Sequence, residues 1–161
     1  MTTSTHSHKA WTDKGGHVIF TLGAGRSGLI SRCFAMRLMH CGKPSYAAGD
    51  CGTPRPKEGD LGITISSSGE TPSLVAIGKR LIETGAEMVL ISARTNSTLS
   101  KICHKKIILE CCENHNIKSI LPMGSLFEHS AYLFLDCTIA AIINATGLTH
   151  QYMQNNHTIL E

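Results

Sequence analysis

Two short stretches of this chain carry residue types suited to holding an anion. Residues 23–28 read Gly-Ala-Gly-Arg-Ser-Gly, a G-x-G-x-x-G pattern. Residues 66–71 read Ser-Ser-Ser-Gly-Glu-Thr. Hydroxyls on Ser66, Ser68 and Thr71 can donate to phosphate oxygens, and Gly69 lets the backbone close around them. In the first stretch Gly25, Arg26 and Ser27 are the candidates for contact with such a group. Both stretches precede helical patterns, and a helix N-terminus favours anions through its exposed N–H groups and its dipole. Plainer explanations exist. A tight strand-to-helix turn needs Gly, and capping a helix needs a single hydroxyl, which Thr71 or Ser68 supplies. Four hydroxyls in six residues exceed what capping requires.

The first stretch also admits a dinucleotide site, with Asp50 about twenty residues on as its ribose-binding acid. A serine-rich second loop is something such a site does not need. For proton chemistry, Glu128 is the acidic residue in the first turn of a long apolar segment. A carboxylate there can take a proton from carbon and return it to the next carbon, which moves a carbonyl along a chain. It could equally be a partner for the helix dipole. His129 is a rival acid–base group, His157 lies in a polar C-terminal stretch, and Arg26 is either a ligand contact or a helix-start surface charge. His6 and His8 alone do not amount to a metal site.

These residues need elements to position them. Apolar runs predict strands over 17–22, 45–48, 61–65, 88–91 and 106–109. Helical spacing predicts helices over 28–41, from Pro72 to Gly85 with Thr71 as N-cap, over 97–104, and over 122–146. A polar connection is expected over 110–121, with Cys111 and Cys112, and a last amphipathic segment over 149–161. Strand–helix alternation with right-handed crossovers predicts a doubly wound, five-stranded parallel α/β sheet of order 2-1-3-4-5. In that order a ligand crevice opens between the carboxyl ends of the first and third strands. The two anion-suited stretches would face each other there.

The chain has 161 residues, enough for one domain, with 42% hydrophobic and 17% charged residues. A net charge of +3 from scattered basic residues gives no argument for nucleic acid, and Lys101, Lys105 and Lys106 read as a solvated helix end. Seven Cys, an odd number without C-x-x-C, are not a disulfide framework. Cys33, Cys41, Cys103 and Cys137 read as small buried hydrophobes. Residues 1–16 form a polar tail without an apolar leader, and the apolar stretch 131–145 is too short and too polar to span a bilayer. The expectation is a reduced, cytoplasmic, soluble protein with no membrane partner. The all-round apolar character of 131–145 predicts a second copy packed on that helix.

Gly-Ala-Gly-Arg-Ser-Gly at 23–28, Phe-Ala-Met-Arg-Leu-Met-His-Cys-Gly at 34–42 and the stretch through the serines at 59–71 resemble sugar isomerase (SIS) domains. Pro-Met-Gly-Ser-Leu-Phe-Glu-His-Ser-Ala at 122–131 and Asn-His-Thr-Ile-Leu-Glu at 156–161 bring the resemblance closest to 6-phospho-3-hexuloisomerases. It covers 17–161, taken as one SIS domain. The resemblance implies isomerisation of a 3-hexulose 6-phosphate and fructose 6-phosphate through an enediol, in a ribulose monophosphate pathway, without metal or other cofactor. It implies that Ser27, Ser66, Ser68 and Thr71 hold the phosphate and that Glu128 is the base. His157 would open the ring or shuttle protons, in its own or a neighbouring subunit of a homotetramer. Other readings are a sugar-phosphate sensor that has lost catalysis and a small nucleotide-binding domain. Relatives of this kind carry a helix before the first strand and usually Gly at the place of Ser67, where a left-handed backbone would strain a serine.

Overall fold

The structure, a computed structural model, describes residues 17–110, 121, 123 and 125–160. The expected tail over 1–16 with His6 and His8, the Cys111–Cys112 connection and the helix start at Pro122 lie outside the described residues. The elements run β1 (Ile19–Gly23), α1 (Arg26–His40), β2 (Ser45–Ala47), β3 (Leu61–Ile65), α2 (Pro72–Glu83), β4 (Glu87–Ser92), α3 (Thr98–Ile102), β5 (Lys105–Ile108), α4 (Ser125–Thr146) and α5 (His150–Asn155). The five strands pair in parallel in the order β2-β1-β3-β4-β5, as expected.

Side chains alternate across the sheet with period two. Ile19, Ile65 and Ile91 face one side, where Phe34 and Leu38 of α1 and Phe127, Ala131, Leu135 and Ile139 of α4 complete a core. Phe20, Leu22, Met88 and Leu90 face the other, against Leu74 and Leu81 of α2 and Leu99 of α3. The helices therefore cover both faces, the arrangement that lets parallel strands be apolar on both sides.

Several boundaries differ from expectation for identifiable reasons. Strand β1 starts at Ile19 because the Val18 N–H is taken by the buried Asp60 carboxylate (2.9 Å), which also accepts from the Lys57 N–H (2.9 Å). Helix α3 stops before His104, whose N–H donates to the Met88 carbonyl and whose ring Nδ1 accepts from the Met88 N–H, each at 2.9 Å. Lys105 and Lys106 belong to β5 rather than to a helix end, and the Lys106 ammonium donates to the Thr95 carbonyl (2.9 Å).

Helix α4 packs along Phe127, Ala131, Leu135 and Ile139, one residue per turn. Its other faces are open: Tyr132 is 46% and Leu133 65% exposed. Cys137, expected to be buried, lies on this exposed part, while Cys41 is buried and Cys33 and Cys103 are half-buried. Burial raises the Cys41 and Cys103 thiol pKa values. The helix is longer than the 131–145 stretch read from the sequence and, by length and composition alone, is long and apolar enough to cross a membrane. Here it is a layer over the sheet, with its buried stripe in the core and Asp136 paired to Arg37 at 3.6 Å.

Truncating a buried residue of this stripe should cost far more than truncating an open one. Ile139→Ala should lower unfolding free energy by about 2–5 kcal/mol. Leu133→Ala should change it by about 0.5 kcal/mol or less in a monomeric chain. Urea denaturation at several protein concentrations checks both; a concentration-dependent loss for Leu133→Ala would mean that a second copy covers this face.

Candidate active site

The sheet register sets the site. Gly23 of β1 aligns with Ile65 of β3, and Ile65 aligns with Ile91 of β4, so three strands end at one level. The loops that follow begin together at Ala24, Ser66 and, one residue on from Ser92, Ala93. Between them opens a crevice of about 240 Å³. Its wall contains Ser27 from the start of α1, Ser66, Ser67, Ser68 and Thr71 from the loop before α2, Arg94 after β4, and Glu128 from the first turn of α4.

The serine loop is held by its own hydroxyls and by the segment behind it. The Gly69 N–H donates to Ser66 Oγ (3.1 Å) and the Glu70 N–H to Ser68 Oγ (3.2 Å). These bonds use acceptor capacity only, so each hydroxyl proton remains available to an anion. The Ser67 carbonyl accepts from the Ala93 N–H (3.2 Å) and the Ser92 hydroxyl (3.0 Å), and the Gly69 carbonyl from the Leu99 N–H (3.1 Å). Gly69 has φ +65°, and a Cβ there would strike the buried Ser97 side chain, so glycine is required twice over. Met123 is the one positive-φ non-glycine among the described residues, so Ser67 carries no left-handed strain. Thr71 stands at the N-cap position of α2 but makes no capping bond with its side chain. Its hydroxyl is not spent on the helix, contrary to the capping expectation.

Glu70 ties the loop to α3. Its carboxylate accepts from the Thr98 hydroxyl (2.7 Å) and the Thr98 N–H (2.8 Å). Those two bonds, the hydroxyl first, hold its pKa below the ordinary carboxylate value, helped by Lys101 and Arg94.

Glu128 is held from α1. Arg26 donates to Glu128 Oε2 (3.2 Å) and to the Met123 carbonyl (2.6 Å), bridging the start of α4 to the end of the first loop. The Glu128 side chain is 14% exposed. Arg26 is thus engaged with the candidate base and does not line the crevice. Gly25 does not line it either: it is the N-cap of α1 at φ +57° with open space around it, so its glycine serves the turn. Asp50, the acid a dinucleotide site would use, pairs with Arg32 at 2.8 Å and is also absent from the crevice wall. His129, the rival base, has its Nδ1 on the Ser125 carbonyl at 2.7 Å.

His157 lies elsewhere. It borders a separate cavity of about 530 Å³ with His40, His150 and Met153, and its ring stacks on His40 with centroids 4.8 Å apart and planes at 20°. Among the described residues, His157 and Glu128 therefore border different cavities. Arg94 is the charged wall residue missed in the sequence. Its position two residues after a strand at the crevice end was the available signal.

The SIS domain model matches residues 16–132. The chain is 38% identical to the 3-hexulose-6-phosphate isomerase of Bacillus subtilis (strain 168), over 90% of this chain and 80% of that one. It is 37% identical to the enzyme of that name from Methylomonas aminofaciens, over 88% and 80%. A solved Methanococcus jannaschii protein, assigned the same function from its structure, superposes with a TM-score of 0.83 at 36% identity, covering 91% of this chain and 80% of that one. The chain belongs to the SIS domain family.

The Glu70 tie makes a pH prediction. A carboxylate with a lowered folded pKa adds stability that is present above its unfolded pKa, about 4.3, and is lost as pH falls through the folded value. The gap in Tm between the protein and Glu70→Gln should therefore be flat from neutral pH to about 5 and close only below about 4.3. Thermal melts of both proteins across that range check it.

Proposed function

We propose that this SIS-domain chain is a phosphosugar isomerase that interconverts a 3-hexulose 6-phosphate and fructose 6-phosphate. The observation that carries the reading is the convergence of the serine loop and Glu128 on one crevice. Its identity to enzymes named for that reaction supports the substrate class. Ser27, Ser66, Ser68 and Thr71 hold the phosphate, which places the sugar's carbonyl end toward Glu128. The Glu128 carboxylate takes the proton from the carbinol carbon beside the carbonyl, giving an enediol, and returns it to the former carbonyl carbon. A proton passes between the two oxygens at the same time, so the carbonyl moves one place and no redox partner is needed. Arg26 fixes the carboxylate through the 3.2 Å ion pair.

In this reading His157 opens the sugar ring or carries the oxygen-bound proton. Its place on a different cavity of the same chain favours service to a neighbouring subunit. The open face of α4 is the surface for a homotetramer of single SIS domains spanning 17–161 behind a polar tail. The protein would act in the cytoplasm, in the ribulose monophosphate pathway.

A coupled assay on a 3-hexulose 6-phosphate, read as fructose 6-phosphate formed, tests the reading. Glu128→Gln should bind substrate with near-native affinity and lose about 10²- to 10⁴-fold in turnover, with solvent deuterium exchange falling in parallel. Native exchange in that variant would remove Glu128 from the mechanism. Ligand binding without any turnover in the unaltered protein would identify a sensor instead.

Ser68→Ala removes a hydrogen bond to a charged group. Phosphate affinity should fall roughly 10- to 150-fold. Stability should change little, because the orphaned Glu70 N–H is exposed to water. Calorimetry with fructose 6-phosphate and thermal melts separate the two effects.

A further inference from the structure

A phosphate monoester arrives with nearly two negative charges. Among the described residues, Arg94 and Glu128 are the charged side chains on the wall, and Glu128 repels it. The serine hydroxyls are neutral donors. Arg26, the basic residue of the first loop, is already shared between Glu128 and the Met123 carbonyl. Arg94 is exposed and makes no ion pair within 4.0 Å among the described residues.

Its backbone is fixed to the serine loop. The buried Ser92 hydroxyl donates to the Ser67 carbonyl (3.0 Å) and accepts from the Arg94 N–H (3.1 Å). One oxygen thus spans the two segments. The next residue is anchored as well, since Lys106 donates to the Thr95 carbonyl (2.9 Å). The guanidinium therefore starts from a fixed point beside Ser67 and Ser68. A guanidinium presents a planar fork of donors that matches phosphate oxygens.

We propose that Arg94 is a ligand-binding residue that closes on the phosphate of the sugar phosphate and offsets its charge beside Glu128. This deepens the isomerase reading and rests on it for the identity of the substrate. The assignment of the phosphate contact does not depend on turnover.

The experiment compares the full-length protein with Arg94→Gln and Arg94→Lys in two measurements. In the isomerase assay, Arg94→Gln should raise KM roughly tenfold or more and leave kcat within about twofold, since hydrogen bonds to charged groups are worth about that factor at least. Arg94→Lys should recover part of the loss. The KM ratio should shrink as salt rises from about 0.01 to 1 M, because an exposed charge pair is screened. Calorimetry with inorganic phosphate should show the same loss of affinity in Arg94→Gln, and a non-phosphorylated hexulose should show none. Unchanged KM and unchanged phosphate affinity would overturn the proposal, as would a fall in kcat alone. If the unaltered protein turns over no hexulose phosphate, the isomerase reading falls by itself. The phosphate titration then still decides Arg94: weakened binding upholds it and equal binding ends it.

Discussion

The candidate site depends on how the serine loop is gripped from behind. An anion pocket built from backbone must turn its carbonyl oxygens away, because they repel what the N–H groups and hydroxyls attract. Here the carbonyls of Ser67 and Gly69 are taken up by Ser92 at the end of β4, Ala93 just after it, and Leu99 in α3. The Glu70 carboxylate adds two bonds to Thr98 in the same direction. The short α3 is thereby part of the site although no residue of it lines the crevice. Its own reciprocal cap between Ser97 and Ser100 keeps it formed at five residues, a length at which an isolated helix would not persist.

A second constraint comes from α4. The stripe of Phe127, Ala131, Leu135 and Ile139 sets the rotation of this helix on the sheet. Once Phe127 is buried, Glu128 follows at a fixed angle, one residue round. Arg26 then locks the carboxylate to the start of α1, across 102 residues of sequence. Core packing and the placement of the candidate base are the same event.

Much of this was legible in the sequence, and the reasons for the exceptions are physical. Strand order follows from element alternation and crossover handedness, and the two loops facing each other follow from strand order. The places of Ser27, Ser66 and Ser68 on the crevice wall therefore follow from the sequence pattern alone. What could not be read were pairings between distant residues. Arg26 is identified as a partner of Glu128 only when α1 and α4 are docked. The Thr71 hydroxyl fits the capping rule locally, yet makes no cap in the folded loop. The location of His157 beside His40 depends on the path of the chain after α4, where Asn156 Nδ2 donates to the His40 carbonyl at 3.1 Å. Local propensity says nothing about that path. Strand ends moved by a residue or two because pairing and the Asp60 carboxylate, rather than apolar character, decide where a ladder stops.

The Ser92 hydroxyl grips residue 94 by its main chain alone. Any amino acid with an amide hydrogen can stand there while the frame beneath stays unchanged; proline cannot, because it has no such hydrogen. The rim of the crevice is therefore an exchangeable seat on a fixed chassis. A lineage can trade the group presented to a ligand at this point in a single step, without rebuilding the loop that makes the fold recognisable.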